Sequence, residues 1–290
     1  MPSPRYVVVT PARNEGENLS HTIASMAAQT VRPDGWVIVD DGSSDATGAL
    51  IDEAAARHSW IVAVHRRDRG RRLQGTGVID AFYDGYPLVA GRPWEFIVKF
   101  DADLSFSADY FERCLAEFAA APTLGIGGGQ ICHDDAGQLV PEAPADPAFH
   151  VRGATKIYRR ACWEAIGGLL HAPGWDSIDE LKANMLGWQT RTFRHIPLRH
   201  HRFTGRADGT WRTQVKFGLA NYISGYHPLF MAAKCAKRCF QRPWLVGAIG
   251  LGWGYCSGYL KQIPPVNDPG LVRYVRRQQL NKLLLRPSLW

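Results

Sequence analysis

The sequence predicts an α/β fold, with a mainly parallel sheet covered by helices on both faces and a helical C-terminal tail. Three observations lead there. Short β-branched runs alternate with helix-period segments from Arg5 to Ala120, a pattern that calls for right-handed crossovers and helices on both sides of the sheet. Each run ends in a loop of polar and turn-forming residues, at the carboxyl edge where such sheets bind ligands. From Ala232 to Trp290 the character changes, with ten Lys or Arg against a single acid, Asp268.

The 290 residues are 46% hydrophobic and 21% charged, the composition of a globular chain with a substantial core. The net charge of +7 resides in the tail, and the body before it is slightly acidic. A basic tail on a near-neutral body predicts contact with an anionic surface. Six cysteines without a CxxC pair or regular framework read as reduced thiols in the cytosol. Met1 to Arg5 leads directly into YVVVT without a basic start and long apolar core, so no signal peptide is expected.

Arg5 to Thr10 (RYVVVT) reads as the first strand. Pro11 to Gly16 (PARNEG) ends it, and Leu19, Ile23 and Met26 give Glu17 to Gln29 a helical period. Trp36 to Val39 forms the second strand, Asp40 to Asp45 (DDGSSD) its loop, and Thr47 to His58 an alanine-rich helix. Trp60 to His65 is the third strand, and the arginine- and glycine-rich loop Arg66 to Gly77 after it suits a phosphate. Phe96 to Phe100 is the fourth strand. Ala108 to Ala120 returns as a helix, and Leu124 to Cys132 as a strand whose glycines permit close backbone approach. Asp134 to Pro147, rich in Pro, Ala and Asp, reads as an irregular loop. Val151 to Tyr158 is a further strand, and Arg160 to Ile166 a short helix stopped by Gly167 and Gly168.

The fourth strand closes on Asp101 and Asp103. Residues two apart on an extended chain face the same side, so both carboxylates address one point beyond the strand. A hard divalent cation relieves their repulsion, since such metals take one or two carboxylates together with a ligand's phosphates. A strand end capped by two turn-forming aspartates is the plainer alternative.

Gly174 to Trp188 holds a second acidic group, Asp176, Asp179 and Glu180, at the start of a helix. Capping and dipole complementation draw acids there. Three acids exceed what a cap requires, and one is a candidate general base. In Arg199 to Gly205 (RHHRFTG), either His200 or His201 is a candidate third metal ligand, and the arginines suit a diphosphate. Asp40 and Asp41 are paired acids suited to a base or ribose, although turn and cap formation accounts for much of DDGSSD. Neither GxxxxGKS/T nor GxGxxG occurs, which disfavours those nucleotide-binding classes.

In order along the chain, TPARNEG, VDDGSSD, FDADL and RGATKIYRR…IGG with the acidic cluster after it resemble the family 2 glycosyltransferases of the GT-A fold, over Tyr6 to about Gly205. The resemblance implies a Rossmann-like sheet, a nucleotide-sugar donor, Mn2+ or Mg2+, and inverting transfer to an acceptor hydroxyl. By position it implies donor contacts for Pro11, Arg13, Glu15 and Asp41, with Arg13 standing where the family usually has an aromatic residue. Asp101 matches the acid shared between ribose and metal, and Asp103 the direct metal ligand, with His201 the expected ligand from across the cleft. The base is Asp176, counted back from Gly187 and Trp188, or Asp179 followed by Glu180.

Pro243 to Leu260 contains no charged residue. Its length is at the threshold for a span, and Gly250, Gly254 and Gly258 recur every fourth residue, which gives a helix a smooth packing face. Basic residues flank it on both sides, so a single span would place positive charge wrongly at one end. A helix or hairpin lying in the cytoplasmic leaflet satisfies both ends. The expected organisation is a GT-A domain over residues 1–231 and a basic, apolar, membrane-associated tail over 232–290. The protein is then peripheral or monotopic at the cytoplasmic face. Resemblance to bacterial surface-polysaccharide enzymes adds a glycan or polyprenyl-linked acceptor, and nucleic acid is not an expected partner.

Two other readings compete. A sugar-phosphate nucleotidyltransferase needs a glycine- and arginine-rich signature after the first strand, which PARNEG lacks. A membrane-docked module would bind a nucleotide sugar without turnover.

Overall fold

The computed structural model describes residues 4–68, 70, 76–202, 209–240 and 244–290. Positions 69 and 71–75 of the arginine-rich loop, 203–205 of RHHRFTG, and 242–243 before the apolar stretch lie outside the described residues. Strand β1 (Tyr6–Ala12) leads into helix α1 (Leu19–Ala27), and β2 (Gly35–Asp40) into α2 (Thr47–Arg57). Then come β3 (Ile61–His65), α3 (Gly77–Gly85), α4 (Pro87–Ala90), β4 (Phe96–Phe100) and the short β5 (Leu104–Ser105). The middle of the chain holds α5 (Tyr110–Ala120), β6 (Leu124–Asp135), β7 (Gln138–Pro141), β8 (Thr155–Arg159), α6 (Arg160–Ile166), α7 (Trp175–Met185) and β9 (Gln189–His200). Helices α8 (Thr210–Ile223), α9 (Pro228–Cys239), α10 (Trp244–Leu260) and α11 (Pro269–Leu283) follow.

Within the described residues the strands form one sheet in the order β3, β2, β1, β4, β8, β6, β9, β5, with β7 paired to β6. The first four strands are parallel, and β8 runs antiparallel between β4 and β6. Side chains alternate between two cores. Tyr6, Val8, Trp36 and Ile38 pack with α1, α2 and α5 on one face, while Val7, Val9, Val37 and Val39 pack with α3 and α6 on the other. Burial on both faces is why these strands read as continuous apolar runs. A Cβ on Gly128 would stand 1.9 Å from the Thr155 carbonyl oxygen, so β6 reaches β8 only with glycine there.

Three sequence expectations are corrected. The stretch from Asp134 is not wholly irregular, because Ala136 and Gly137 take φ of 51° and 87° and turn β6 into a hairpin with β7. The strand expected from Val151 begins at Thr155. The long strand β9 has no counterpart among the expected elements; its inward residues Thr190, Phe193, Ile196 and Leu198 do not keep a strict period of two, and Pro197 interrupts the pattern.

At the C-terminal end the recurrent glycines of α10 seat it on α8. A Cβ on Gly254 would lie 2.0 Å from the Val215 oxygen, and one on Gly218 2.0 Å from the Leu251 oxygen. The opposite face leaves Trp244, Leu245, Ile249 and Trp253 exposed. No described helix is long and apolar enough to cross a membrane. A third core joins Ile178 and Leu181 of α7 to Ile223, Leu251, Leu271 and Val275 of the helical layer. Positions 231 and 232 are neighbours inside α9.

Candidate active site

Parallel pairing of β1 with β2 and β4 brings the loops after all three strands to one edge. Asn14, at φ 53°, lets the first loop turn back on the second. Its Oδ1 accepts from Ser44 N (2.9 Å), and its N donates to Ser43 Oγ (3.0 Å). Gly16 N donates to Asp45 Oδ2 (2.9 Å) and Glu15 N to Thr47 Oγ1 (2.8 Å). The serines and Asp45 are thus occupied in lacing the two loops together, as turn chemistry predicts.

Pro11 lies on β1 opposite Val39. The guanidinium of Arg13 donates to the Asp41 carbonyl and to Asp68 Oδ1 (2.7 Å). The Asp41 carboxylate pairs with Arg66, whose Nε also meets Asp84 Oδ2 at 2.6 Å. Beside them, Arg66, Arg67, Tyr83 and Asp84 line a cleft of about 630 Å3 at the end of β3. Glu15 is buried and pairs with Arg202 (2.9 Å). Burial, then the charge of Asp103, pushes its carboxyl up to about 7 against the pull of Arg202.

The two aspartates after β4 have separate environments. Asp101 donates its backbone N–H to the Ala154 carbonyl (2.9 Å), and its Oδ1 is held by the buried Lys99 ammonium. Lys99 also donates to the Gly153 carbonyl at 2.8 Å. Asp103 is buried; its Oδ2 faces His200 Nε2 at 3.2 Å, and its Oδ1 has no hydrogen-bond partner among the described residues. The other nitrogen of His200, Nδ1, contacts Glu142 Oε1 at 2.8 Å. Burial works against the imidazolium, but Asp103 and Glu142 outweigh it and hold His200 up at about 10. His201 is placed differently. Its ring stacks on His21 (4.5 Å) and its Nε2 contacts Ser105 Oγ at 2.9 Å. Among the described residues, no group of three His, Cys, Asp or Glu is arranged to hold a metal ion by itself.

The acids of α7 also separate. Asp179 and Glu180 are fully buried around the Lys156 ammonium, at 2.8 Å each. Asp179 Oδ2 also accepts from Tyr158 OH, while Glu180 accepts from Val151 N (2.7 Å) and pairs with His150 (3.0 Å). Asp176 is only half-buried. Its backbone carbonyl accepts from Lys156, and its Cβ lies 3.2 Å from where a Cβ on Gly153 would stand. Gly153 and Ala154 therefore form the strip of backbone between Asp176 and Asp101.

A family model described as Glycosyl transferase family 2 matches residues 7–160, more than half of the chain. The chain belongs to glycosyl transferase family 2. A stretch of 129 residues is 33% identical to the polyprenol monophosphomannose synthase of Mycolicibacterium smegmatis, covering 43% of this chain and 45% of that protein. Another, of 127 residues, is 28% identical to the undecaprenyl-phosphate mannosyltransferase of Micrococcus luteus, covering 44% and 49%. The matched part spans about half the length of these relatives. Among solved structures, the Pyrobaculum calidifontis mannosyltransferase PcManGT, in complex with GDP-Man and Mn2+, aligns with a TM-score of 0.55 at 19% identity over 98% of this chain and 76% of that one. S. aureus TarS 1-349 in complex with UDP-GlcNAc aligns with a TM-score of 0.53 at 12% identity over 93% and 79%. The family 2 chain thus has the GT-A fold that its ordered motifs imply.

Three residues of this family 2 site carried no expected role. Glu142 and Lys99 belong to none of the sequence motifs, and the buried Lys156 lies within RGATKIYRR without a role of its own. The lysines did leave a signal, a lysine among the apolar residues of each of the strands FIVKF and TKIYR. A buried cation requires a buried acid to compensate it.

Proposed function

We propose that the chain is a metal-dependent, inverting glycosyltransferase that moves a sugar from a nucleotide-sugar donor to a lipid-linked or polysaccharide acceptor in cell-surface glycan synthesis. The observation that carries this reading is the buried Oδ1 of Asp103, which has no partner among the described residues. An anionic oxygen sealed from water without a donor is costly. Asp103 Oδ1, with the remaining oxygen of Asp101 on the same loop, would hold Mn2+ or Mg2+ beside a donor diphosphate. When bound, that cation offsets the charge developing on the leaving diphosphate. The Mn2+ and GDP-Man of the Pyrobaculum neighbour support a divalent cation and a nucleotide-sugar donor.

Glu15 and Asp41, at the same edge, are our candidates for ribose and base contacts. Asp176 is our base. The other two acids of α7 are committed to Lys156, Tyr158 and His150, whereas Asp176 is half-buried beside the strip that holds Asp101. It takes the proton of an acceptor hydroxyl as that oxygen attacks the anomeric carbon opposite the departing diphosphate. One relative is named for an undecaprenyl phosphate and the other for the synthesis of polyprenol monophosphomannose, which supports a polyprenyl phosphate acceptor. A phosphate acceptor is already anionic near neutral pH and needs no such base, so the demand for Asp176 separates the two acceptor chemistries. We place the protein peripherally at the cytoplasmic membrane face, with the exposed apolar face of α10 toward the lipid.

The test is a panel of nucleotide sugars with polyprenyl phosphate or glycan acceptors, with and without Mn2+ or Mg2+, reading nucleotide release. Metal-dependent release with one donor is expected; no metal-dependent turnover or donor binding across the panel would refute the reading.

A further inference from the structure

Helix α11 presents Arg273, Arg276, Arg277 and Leu280 at three- and four-residue spacings that place them on one helix face, with Leu284 four residues on at its C-cap. Together with Arg286 and with His227 at the head of α9, they line a cleft of about 510 Å3. All four arginines are exposed, and none forms an ion pair with a described residue. Arg276 Nε donates to the Gly225 carbonyl (3.1 Å), which anchors that side chain at the base of the cleft and, among the described residues, leaves its terminal nitrogens uncommitted. His227 Nδ1 accepts from Leu229 N (3.2 Å), so its Nε2 carries the proton and is a donor. The helix does not need these arginines to pack, because Leu271, Val275 and Gln279 form its buried side and Gln279 accepts from His227 N at 2.7 Å.

Four cations around one cleft repel each other until an anion arrives, and guanidinium forks match phosphate oxygens. Beyond the charge, Leu280 and Leu284 are part of the lining, and Leu283, Leu284 and Leu285 are 37%, 60% and 94% exposed. A free phosphate would use the arginines and leave the leucines wet. The lining has no Phe, Tyr or Trp on which a nucleic-acid base would stack. We infer that the cleft between α9 and α11 binds the phosphate headgroup of an anionic membrane lipid, with the lipid's apolar part against the leucines. This rests on the reading that the C-terminal region meets a membrane, and it names the site and the ligand chemistry.

The experiment is co-sedimentation of the full chain with phosphatidylcholine vesicles, with and without phosphatidylglycerol. Each arginine near an anionic surface is worth about fivefold in binding. Arg273→Gln/Arg277→Gln should therefore lose roughly twentyfold or more on phosphatidylglycerol vesicles, with an unchanged melting temperature. Lys237→Gln/Lys261→Gln removes the same charge elsewhere and should lose several-fold less. Equal losses in the two double variants would mean diffuse attraction and overturn the site. Loss with Ile249→Ser/Trp253→Ser but none with the arginine variant would spare the membrane reading and overturn the cleft. No binding by the unaltered chain would overturn both. Arginine-dependent binding of inorganic phosphate or an oligonucleotide in place of vesicles would overturn the lipid assignment.

Discussion

Lys99 and Lys156 stand directly opposite one another on β4 and β8, both buried, with their ammonium groups 5.4 Å and 5.6 Å from the centre of the Trp175 ring. Like charges facing across a ladder are destabilising unless each is compensated. Here Asp101 compensates one, and Asp179 with Glu180 compensates the other. The loop with the candidate metal acids and the helix with the candidate base are thereby joined through one buried charge network.

Lys156→Met should be among the most damaging single changes. It strands two buried carboxylates, and breaking a buried pair from one side costs about 3–5 kcal/mol. Urea denaturation measures it; a loss below about 1 kcal/mol would show that water reaches the pair.

Asp176→Asn and Asp179→Asn should fail in different ways. The first keeps the stability of the parent chain and, with a hydroxyl acceptor, lowers turnover by about 100-fold or more at unchanged donor affinity. The second removes a counter-ion of Lys156 and unfolds at lower denaturant. Turnover at the parent rate in Asp176→Asn with a hydroxyl acceptor would exclude that residue as the base.

Asp103→Asn should abolish metal-stimulated nucleotide release while keeping the fold. Titration with Mn2+ in the presence of nucleotide should show affinity weakened by at least about tenfold. Full metal stimulation would move the site elsewhere.

Gly254→Ala and Gly252→Ala offer a steric contrast within α10. At Gly254 the new methyl meets the Val215 backbone at 2.0 Å, whereas at Gly252 the nearest atom is Cys235 Sγ at 3.7 Å. The first should destabilise by about 1–3 kcal/mol, while the second gains up to about 1 kcal/mol of helix propensity. Thermal melting of both variants checks the α8 contact.

His150 should make stability fall on the alkaline side. Burial opposes its charge, but Glu180 holds the imidazolium up to about 9 from an ordinary 6.5. A raised value means that the stabilisation is complete below about pH 6.5 and lost as pH rises through about 9. Denaturation free energy should drop by about 2 kcal/mol between pH 7 and 10, and His150→Gln should flatten that drop. An equal drop in the variant would assign it to another group.

Much of this was legible from local pattern. WVIV and FIVKF stop at or beside the turn residues that follow them, while VVVT runs on through Pro11 to Ala12; Gly167 ends α6 in the left-handed region, and the fourfold glycine spacing of α10 marks its packing face. The cleft histidine was harder to read. His200 and His201 are neighbours, and adjacent residues at the end of a strand point to opposite sides. Which one meets Asp103 depends on the register of β9 against β5, where Leu104 pairs with His200.

The acids of α7 pose the same problem on a helix. Asp176 and Asp179 lie three residues apart in similar sequence surroundings, and Lys156, 23 residues before Asp179, decides which of them is sealed.

The sequence by itself determined the alternation of the first strands, helices and edge loops, and with their ordered motifs the family, because periodicity and turn preference act between residues close along the chain. Only the tertiary structure decided which of two neighbouring like residues faces the cleft and which is neutralised. Burial and charge pairing are set by strands as distant in sequence as Asp103 and His200, 97 residues apart.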